Sequence, residues 1–596
     1  MGYAAPKLDV TGRTTAPSEL VNDPSQQHSM IVKRLAKPAV RTADILVDIL
    51  VESGVEVIFG LPGGPIAPIH DALLDRPEIR TITTRHEAGA IFAAAGYAQA
   101  TGKLGVVVVT SGPGILNAMT GLASAHADGL PVLVIAGEVP RERFGQGAVQ
   151  EGTSEGLDIV HMVRSISKFA AQAGDPNTAP ALLRRAIATA SSGKRGPAVV
   201  TLPMDVGTAH SRPPMVEVSS RLEFRSPTQT FDTTADALAT AKHGLLLVGS
   251  GARWGKGPEL VRELAERLQI PVMTTPKAKG VFPENHPLSL GVFGWGGHPS
   301  ASDYLGQGVD VLMAIGTSLG ETATDSWSRK LAASKHFIQI DVEAQRIGRN
   351  YPVTLGVVDT VEGALPEILR RLPKTPRTQR QFGVRRQQTG AEVLVGPEGR
   401  ISPQRALWEL QQALPTTTLF TSDIGSHMFF ALHHLEIRSP RGFMIMFGLG
   451  SMGSGIGAAL GVKVARPDAP VVSVCGDGCF SMGLGDVATA AQQGIPMIFA
   501  VLNDERYGLV EVGNNAVYGR TPSFATPMNV AQLAEGVGAR AVVVEQPGDI
   551  LNLDLLALAE NRPLVLDIRI DREVRLASGR LEFLKEMANK AGVEAK

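Results

Sequence analysis

The fold of this chain is constrained most strongly by short, uninterrupted apolar segments, each separated from the next by a segment with helical spacing. Clear examples are "GVVVV" at 105–109, "PVLVIAG" at 131–137 and "PAVVTLP" at 197–203. Segments without polar alternation are typical of parallel strands that helices cover on both faces of a sheet. Regular alternation with helical segments therefore predicts an α/β fold with mostly parallel sheets.

The same alternation appears in three separate parts of the chain. Stretches rich in Pro, Arg, Ser and Thr, with little periodicity, separate these parts and are typical of linkers. A length of 596 residues suits several domains at roughly 100–200 residues each. We predict a flexible N-terminal tail at 1–39, a first domain at 40–206, a linker at 207–232, a central domain at 233–371, a linker at 372–402, a third domain at 403–572 and a C-terminal tail or helix at 573–596.

The first and third domains share a spacing of glycines that indicates internal duplication. Gly89 and Gly112 are 23 residues apart, and so are Gly453 and Gly476. A repeat of this size means duplicated domains rather than a solenoid. Duplicates that differ mainly at their turns suggest a single ligand held between two related surfaces.

Two polar turns follow neighbouring strands in the predicted third domain. Gly476-Asp477-Gly478 ends one strand, and Asn503-Asp504 ends the next strand after 24 intervening residues. Ligands of open α/β sheets bind at the carboxyl ends of such strands. Carboxylate and carbonyl oxygens suit Mg²⁺, which completes its coordination with phosphate oxygens, and a helix N-terminus favours the phosphate itself. The sequence therefore predicts a Mg²⁺-bridged diphosphate, although either turn alone could be a simple strand exit.

This spacing resembles the signature of thiamine-diphosphate enzymes. Residues 40 to about 570 are similar to the acetolactate synthase–benzoylformate decarboxylase group of 2-keto acid enzymes, in the order pyrimidine-binding, central and diphosphate-binding domain. The segments "RHEAGAIFAAAGYAQATGKLGVVVVTSGPG" and "KGVFPENHP" also match that group. The resemblance implies thiamine diphosphate and Mg²⁺ as cofactors.

The resemblance also implies two catalytic residues in the first domain. Glu87 stands in the R-H-E-x-G context of the family's catalytic glutamate, where a carboxylate bonded to the pyrimidine ring promotes removal of the cofactor's C2 proton. The alternative is an acid that complements a helix dipole. Gln150, in "GAVQEG", corresponds to a glutamine that approaches cofactor and substrate, with Val149 in place of the family's Phe.

The remaining implied site residues lie in the third domain. The implied metal ligands are Asp477, Asp504 and the main-chain carbonyl of Arg506, with Asp504 replacing a commoner Asn. Met452 is implied to support the bent cofactor, a role compatible with a gap-filling core methionine. Residues implied to contact the cofactor are Glu87, Gly425, Ser426, His427, Gly450, Met452, Gly476, Asp477, Gly478, Cys479 and Asp504.

The implied function is non-oxidative decarboxylation of a 2-keto acid, pyruvate or a relative, with C–C ligation to an aldehyde or keto acceptor. An alternative is an acetolactate synthase or pyruvate oxidase-type enzyme with FAD. The segment 248–257 weakly resembles a nucleotide-binding turn for FAD or ADP, but 316–327 lacks the family's R-F-D-D segment, which disfavours flavin. A third hypothesis is an NAD(P)-dependent dehydrogenase that uses Gly448–Gly453 as G-x-G-x-x-G. The metal and anion turns that follow disfavour it.

Composition limits the expected binding partners and cellular location of the protein. A formal net charge of -1 gives no general attraction to nucleic acid or anionic lipid. Two cysteines cannot make a disulfide framework, which favours a reducing, cytoplasmic location. No apolar run reaches the roughly 18 residues needed to span a membrane. The resemblance implies a homodimer or homotetramer with active sites at subunit interfaces.

Overall fold

The computed structural model describes residues 39–154, 156–211, 226–374 and 378–575. Within them the chain forms three six-stranded parallel sheets, each flanked by helices, as predicted. Most of both predicted tails and part of each predicted linker lie outside the described residues. No helix in the described ranges is both long and apolar enough to cross a membrane.

The first domain contains the sheet order β3-β2-β4-β5-β7-β6 and an antiparallel pair of β1 with β8. Its strands are β1 (Val40–Arg41), β2 (Val57–Gly60), β3 (Arg80–Thr83), β4 (Gly105–Val109), β5 (Val132–Glu138), β6 (Phe169–Gln172), β7 (Ala198–Pro203) and β8 (His210–Ser211). Its helices are α1 (Thr42–Glu52), α2 (Ala67–Leu74), α3 (Glu87–Thr101), α4 (Pro113–Asp128), α5 (Ile159–Val163), α6 (Ala179–Ser191) and α7 (Met204–Thr208). Strands β4 and β5 are fully buried, which explains their unbroken apolar sequences.

The central domain has the strand order β11-β10-β9-β12-β13-β14, the arrangement of doubly wound nucleotide-binding folds. Its strands are β9 (Gly244–Val248), β10 (Val272–Thr274), β11 (Ser289–Val292), β12 (Val309–Ile315), β13 (Ala333–Asp341) and β14 (Leu355–Val358). Its helices are α8 (Thr228–Ala239), α9 (Gly257–Leu268), α10 (Pro299–Gly306) and α11 (Val361–Arg371). Helix α8 begins inside the predicted linker because Phe231 and Leu238 are buried in the core of this domain.

The third domain has the strand order β16-β15-β17-β18-β20-β19. Its strands are β15 (Leu419–Ser422), β16 (Phe443–Ile445), β17 (Val471–Gly476), β18 (Ile498–Asn503), β19 (Arg540–Val544) and β20 (Leu564–Arg569). Its helices are α12 (Pro403–Ala413), α13 (Ser426–His434), α14 (Ser454–Ala465), α15 (Asp477–Gln492), α16 (Gly508–Tyr518), α17 (Val530–Gly536) and α18 (Leu555–Leu558).

The strand orders support the predicted duplication. Pairing β2 through β7 with β15 through β20, in sequence, converts the first sheet order into the third. The helices that follow the two central strands, α4 and α15, both have 16 residues. The first and third domains are therefore two copies of one unit, and their helices α3 and α14 pack against each other.

Candidate cofactor site

A cavity of about 290 Å³ opens at the carboxyl ends of β15, β17 and β18 in the third domain. All the cofactor-binding and metal-binding residues predicted from the third domain line it. They are Gly425, Ser426, His427, Gly450, Met452, Gly476, Asp477, Gly478, Cys479, Asp504 and Arg506. Since these residues come from four separate turns, the fold brings the sequence motifs together as the β-α-β reading requires.

Asp477 is the first residue of α15 and is almost completely buried. One of its carboxylate oxygens accepts a 2.6 Å hydrogen bond from the hydroxyl of Thr526. Burial raises the pKa of Asp477, and the Thr526 hydroxyl opposes that change. The carboxylate is thus held at the end of β17, facing the cavity.

Asp504 follows β18, the strand that pairs with β17, so the two acidic turns are neighbours. The pKa of Asp504 is raised to about 7, first by burial and then by the negative charge of Asp477, while Arg506 acts in the opposite direction. The Nε atom of Arg506 lies 3.5 Å from an Asp504 oxygen. Two carboxylates close enough to repel each other form a donor pair that suits a divalent cation.

The glycines beside Asp477 make room for neighbouring side chains. A Cβ atom at Gly476 would lie 3.0 Å from Nδ1 of His427, and one at Gly478 would lie 2.5 Å from the ring of Tyr507. Burial lowers the pKa of His427 to about 4, so this imidazole is neutral. Its Nε2 atom has no hydrogen-bond partner among the described residues and is available to a ligand.

Cys479, the next residue along α15, lines the same cavity. Its thiol donates to the carbonyl of Ile424 over 3.1 Å. Burial raises its pKa, so the group stays protonated. Cys479 therefore contributes shape and an apolar surface rather than a nucleophile.

Met452 lies in the loop 448–453, which connects β16 to α14. The far end of the loop is fixed by Asp423, a fully buried residue that follows β15. Its carboxylate accepts from the backbone N–H groups of Gly453 at 2.9 Å and Gly455 at 3.0 Å. Burial raises the pKa of Asp423 to about 6. Gly450 and Gly453 have φ angles of +75° and +85°, so the loop needs glycine at both positions.

Glu87 begins α3 and is buried. The preceding residue, His86, caps the helix by accepting from the backbone of Ala88 through Nδ1 at 3.1 Å. The amide of Asn117 on α4 donates to Oε2 of Glu87 at 3.1 Å. The Glu87 carboxylate is therefore held by a side chain of a neighbouring helix.

Gln150 lies near the start of α4, on the same domain as Glu87. Its φ angle is 68°, an unusual conformation for a residue with a side chain. Its Oε1 atom accepts from the hydroxyl of Ser111 at 3.4 Å, and its backbone packs against Gly112. Neither Glu87 nor Gln150 is among the described residues that line the third-domain cavity of the same chain.

A second cavity, of about 240 Å³, lies between the first and central domains, near the carboxyl ends of β9 and β12, where the strand order of the central sheet reverses. Its lining includes Gly251, Arg253 and Asp341 of the central domain and Asp128 of the first domain. Arg253 is 4% exposed, and its Nε atom has no partner among the described residues. Burial lowers the pKa of Arg253 to about 10, which leaves it charged at neutral pH. Arg253 offers an anionic group one buried positive partner in a cavity that both acidic and basic side chains line.

Three contact residues of the site were absent from the sequence predictions: Thr526, Asn117 and Asp423. Asp423 had a usable signal, since it stands at the end of a predicted strand, two residues before Gly425. The other two are linked to their partners only through the fold, because Thr526 lies 49 residues from Asp477 and Asn117 lies 30 residues from Glu87.

Models of protein families match all three domains. The matches are to the thiamine pyrophosphate enzyme N-terminal TPP binding domain at 40–162, central domain at 231–371 and C-terminal TPP binding domain at 423–568. The chain belongs to the thiamine pyrophosphate enzyme family, which confirms the resemblance predicted from the motifs. It is a thiamine-diphosphate-dependent enzyme of the decarboxylase and carboligase type.

Individual relatives narrow this class. The chain is 34% identical to an acetolactate synthase of Arthrospira platensis, over 92% of this chain and 96% of the relative. It is 32% identical to a probable acetolactate synthase large subunit of Methanocaldococcus jannaschii, over 89% and 92%. The fold matches a thiamine diphosphate-dependent 4-hydroxybenzoylformate decarboxylase of Rhodococcus jostii RHA1 with a TM-score of 0.79, at 22% identity, over 89% of this chain and 99% of that one. The enzyme is therefore acetolactate synthase-like.

Proposed function

We propose that the enzyme uses thiamine diphosphate and Mg²⁺ to decarboxylate a 2-keto acid without oxidation and to ligate the remaining fragment to an aldehyde or keto acceptor. Pyruvate or a close relative is the proposed donor, in line with the acetolactate synthases that the chain resembles. One observation carries the proposal: the carboxylates of Asp477 and Asp504 meet Met452 and Gly450 around one cavity at the edge of a parallel sheet.

The donor set fits Mg²⁺ bound together with a diphosphate. The described residues contain no group of three or more His, Cys, Asp or Glu arranged to hold a metal ion. A cation held by Asp477 and Asp504 thus needs further oxygen ligands, which phosphate groups and the Arg506 carbonyl would supply. The mutual repulsion of the two carboxylates would be relieved by the same cation.

The protein's own contribution to catalysis is to bind, orient and transfer protons. When bound, thiamine diphosphate supplies a carbon nucleophile at C2 and accepts the electrons that decarboxylation leaves behind. Met452 would support the cofactor from below, and Gly425 and His427 would contact the diphosphate. Glu87, held by Asn117, would keep a proton at the pyrimidine N1′ atom and so favour loss of the C2 proton.

The complete site would require two copies of the chain. Glu87 and Gln150 lie outside the cavity that Met452 lines, although all are assigned to one cofactor. Exposed apolar side chains flank both half-sites: Val149 is adjacent to Gln150, and Leu449 and Met482 are close to the Met452 loop. A homodimer, alone or within a homotetramer, would cover these side chains and join Glu87 of one subunit to Met452 of the other.

The cavity between the first and central domains is the proposed position for a bound nucleotide. The buried Arg253 and the turn at Gly251 suit the adenosine diphosphate half that FAD and ADP share. The missing R-F-D-D segment at 316–327 still favours a reaction without flavin. The visible absorption spectrum of the purified protein separates the two cases.

The central test is substitution of Glu87→Gln, assayed by release of CO₂ from pyruvate and larger 2-keto acids with thiamine diphosphate and Mg²⁺. Aldehyde acceptors are added or omitted to separate decarboxylation from ligation. Loss of the ionisable group should lower turnover by about 10²–10⁴-fold, since this is the usual contribution of general acid–base catalysis.

The matched control is Glu142→Gln, which makes the same chemical change at an exposed position of the same domain. It should retain wild-type turnover. Wild-type activity in Glu87→Gln would show that the assigned mechanism is wrong, whereas activity on no 2-keto acid in the wild-type protein would remove the proposed substrate class.

A further inference from the structure

All three domains meet at the side chain of Asp128, the last residue of α4 in the first domain. Its Oδ1 atom accepts a 2.9 Å hydrogen bond from the backbone N–H of Gly448 in the third domain. The same oxygen lies 3.0 Å from the ammonium group of Lys277 in the central domain, and the Asp128 side chain is only 5% exposed. A largely buried carboxylate of one domain is thus bonded to the first residue of the Met452 loop in another.

Gly448 is packed tightly against the end of α4. A Cβ atom at this position would lie 2.8 Å from Oδ1 of Asp128 and 2.8 Å from backbone and side-chain atoms of Ala127. Such distances are shorter than real contacts permit, so only glycine fits without displacement of the loop. The first glycine of G-x-G-x-x-G therefore provides clearance for a helix end of the first domain.

The loop 448–453 is consequently held at both ends by carboxylates. Asp128 bonds the N–H of Gly448, and Asp423 bonds the N–H of Gly453. Bound carboxylates at both ends also make the loop unsuitable for the pyrophosphate of a dinucleotide, because like charges repel. Met452 lies between the two fixed points, next to Gly453.

The duplicated domain repeats the arrangement. Gln492 is the last residue of α15, the twin of α4, and its side chain accepts from the guanidinium of Arg85. Arg85 stands two residues before Glu87, in the loop that leads into α3, the twin of α14. In each copy, the last residue of one helix (α4 or α15) contacts the loop that leads into a helix of the other domain (α14 or α3).

From these contacts we infer that Asp128 is a positioning residue for Met452. The Asp128 carboxylate sets the start of the loop, Lys277 orients that carboxylate, and Met452 is placed accordingly beneath the cofactor. This inference rests on the role proposed above for Met452.

The test compares Asp128→Ala, which removes the acceptor, with Asp128→Asn, which keeps an oxygen to accept from Gly448. The first readout is amide hydrogen exchange of a peptide spanning 446–453 in the cofactor-free protein. Exchange should be about ten-fold faster in Asp128→Ala, the loss expected for one hydrogen bond to a charged group, and close to wild type in Asp128→Asn. Exchange of a peptide spanning β17 monitors the general stability of the domain.

The second readout is the rate at which bound thiamine diphosphate exchanges its C2 proton with solvent, measured by NMR after acid quench. A displaced Met452 should slow this exchange by about ten-fold or more in Asp128→Ala, because small misplacements of reacting groups are costly. Asp128→Asn should restore most of the wild-type rate. The matched control is Asp75→Ala, which makes the same truncation at an exposed position of the first domain and leaves the Gly448 contact intact.

A Met452→Ala variant separates the two proposals. If it leaves the C2 exchange rate unchanged, the role proposed for Met452 is wrong and the inference about Asp128 fails with it. If Met452→Ala slows C2 exchange while Asp128→Ala leaves both readouts at wild-type values, only the positioning role is overturned. Equal effects in Asp128→Ala and Asp75→Ala would also overturn it, since they would indicate a general weakening of the first domain.

Discussion

Asp504 must be ionised to bind a cation, but its ionised form destabilises the cofactor-free protein. Its pKa is raised from 3.8 to about 7 by burial and by the charge of Asp477. At pH values between 3.8 and about 7, Asp504 holds a proton in the folded protein that it has already released in the unfolded chain. Stability therefore falls as pH rises through this range, and the full cost is present above pH 7.

We predict that Asp504→Asn raises the melting temperature of the cofactor-free protein at pH 8, because the amide cannot become a second negative charge. The increase should be of the order of 2 °C in the transition of the third domain, if that domain unfolds as a unit and the relieved cost is about 1 kcal/mol. Thermal melts at pH 8 and pH 5 check this expectation. The difference should shrink at pH 5, where Asp504 is protonated in the folded protein.

Addition of Mg²⁺ and thiamine diphosphate should narrow the difference at pH 8, since a divalent cation compensates the second carboxylate. A gap between variant and wild type that is the same at pH 5, at pH 8 and with both cofactors would contradict this account of Asp504.

Some residues of the site could be predicted from sequence motifs, and others could not. Asp477 and Asp504 lie in short motifs at strand ends, where spacing alone brings them to one edge of a sheet. Met452 was implied by the family resemblance. Asn117 and Asp128 have no such signal. Asn117 lies within α4 and Asp128 is its last residue, and both contact residues of other elements. Their roles follow from helix packing, which local sequence does not determine.

At the scale of elements, the contact between α3 and α14 joins the first domain to the third. Both helices are apolar and small-residue-rich around most of their circumference, which predicts buried helices. Where they cross was not predictable, since it depends on two glycines in different domains. A Cβ atom at Gly96 would lie 2.1 Å from the carbonyl oxygen of Ala458, and one at Gly461 would lie 1.7 Å from that of Ala93.

We predict that Gly461→Ala destabilises the protein by about 1–3 kcal/mol, the usual cost of inserting a methyl group into a packed core. The matched control is Gly536→Ala in α17, where an added Cβ meets no atom within 4 Å. That variant should keep or slightly raise the melting temperature, because alanine favours helix over glycine. Equal melting temperatures for the two variants would show that the helix crossing tolerates a wider spacing.

At the scale of the whole molecule, sequence patterns were sufficient for the three parallel sheets and for the duplication. Unbroken apolar strands such as 105–109 require cover on both faces, and equal glycine spacings are visible without a structure. How the twin domains pack within one chain could not be predicted from the sequence. In the structure this packing places Glu87 away from the cavity that contains Met452. That separation supports the proposal, first implied by the family resemblance, that two subunits share each site.

Complementation between two inactive variants tests this sharing. Glu87→Gln removes a group from the first-domain half-site, and Asp477→Ala removes one from the third-domain half-site. If each site combines halves from two subunits, a mixed dimer contains one intact site and one site with both defects. Random assembly of the two variants should therefore restore about a quarter of wild-type activity, because half of the dimers are mixed and each has one working site.

The two variants are co-expressed with different affinity tags, and mixed assemblies are isolated by purification on both tags in succession. Purified mixed dimers should have about half of wild-type turnover, whereas each variant alone should be inactive. Mixing the same variants after assembly, without subunit exchange, provides the control. Mixed dimers without activity would place Glu87 and Asp477 in a site within one chain, which would require the first and third domains to move relative to the arrangement that α3 and α14 fix.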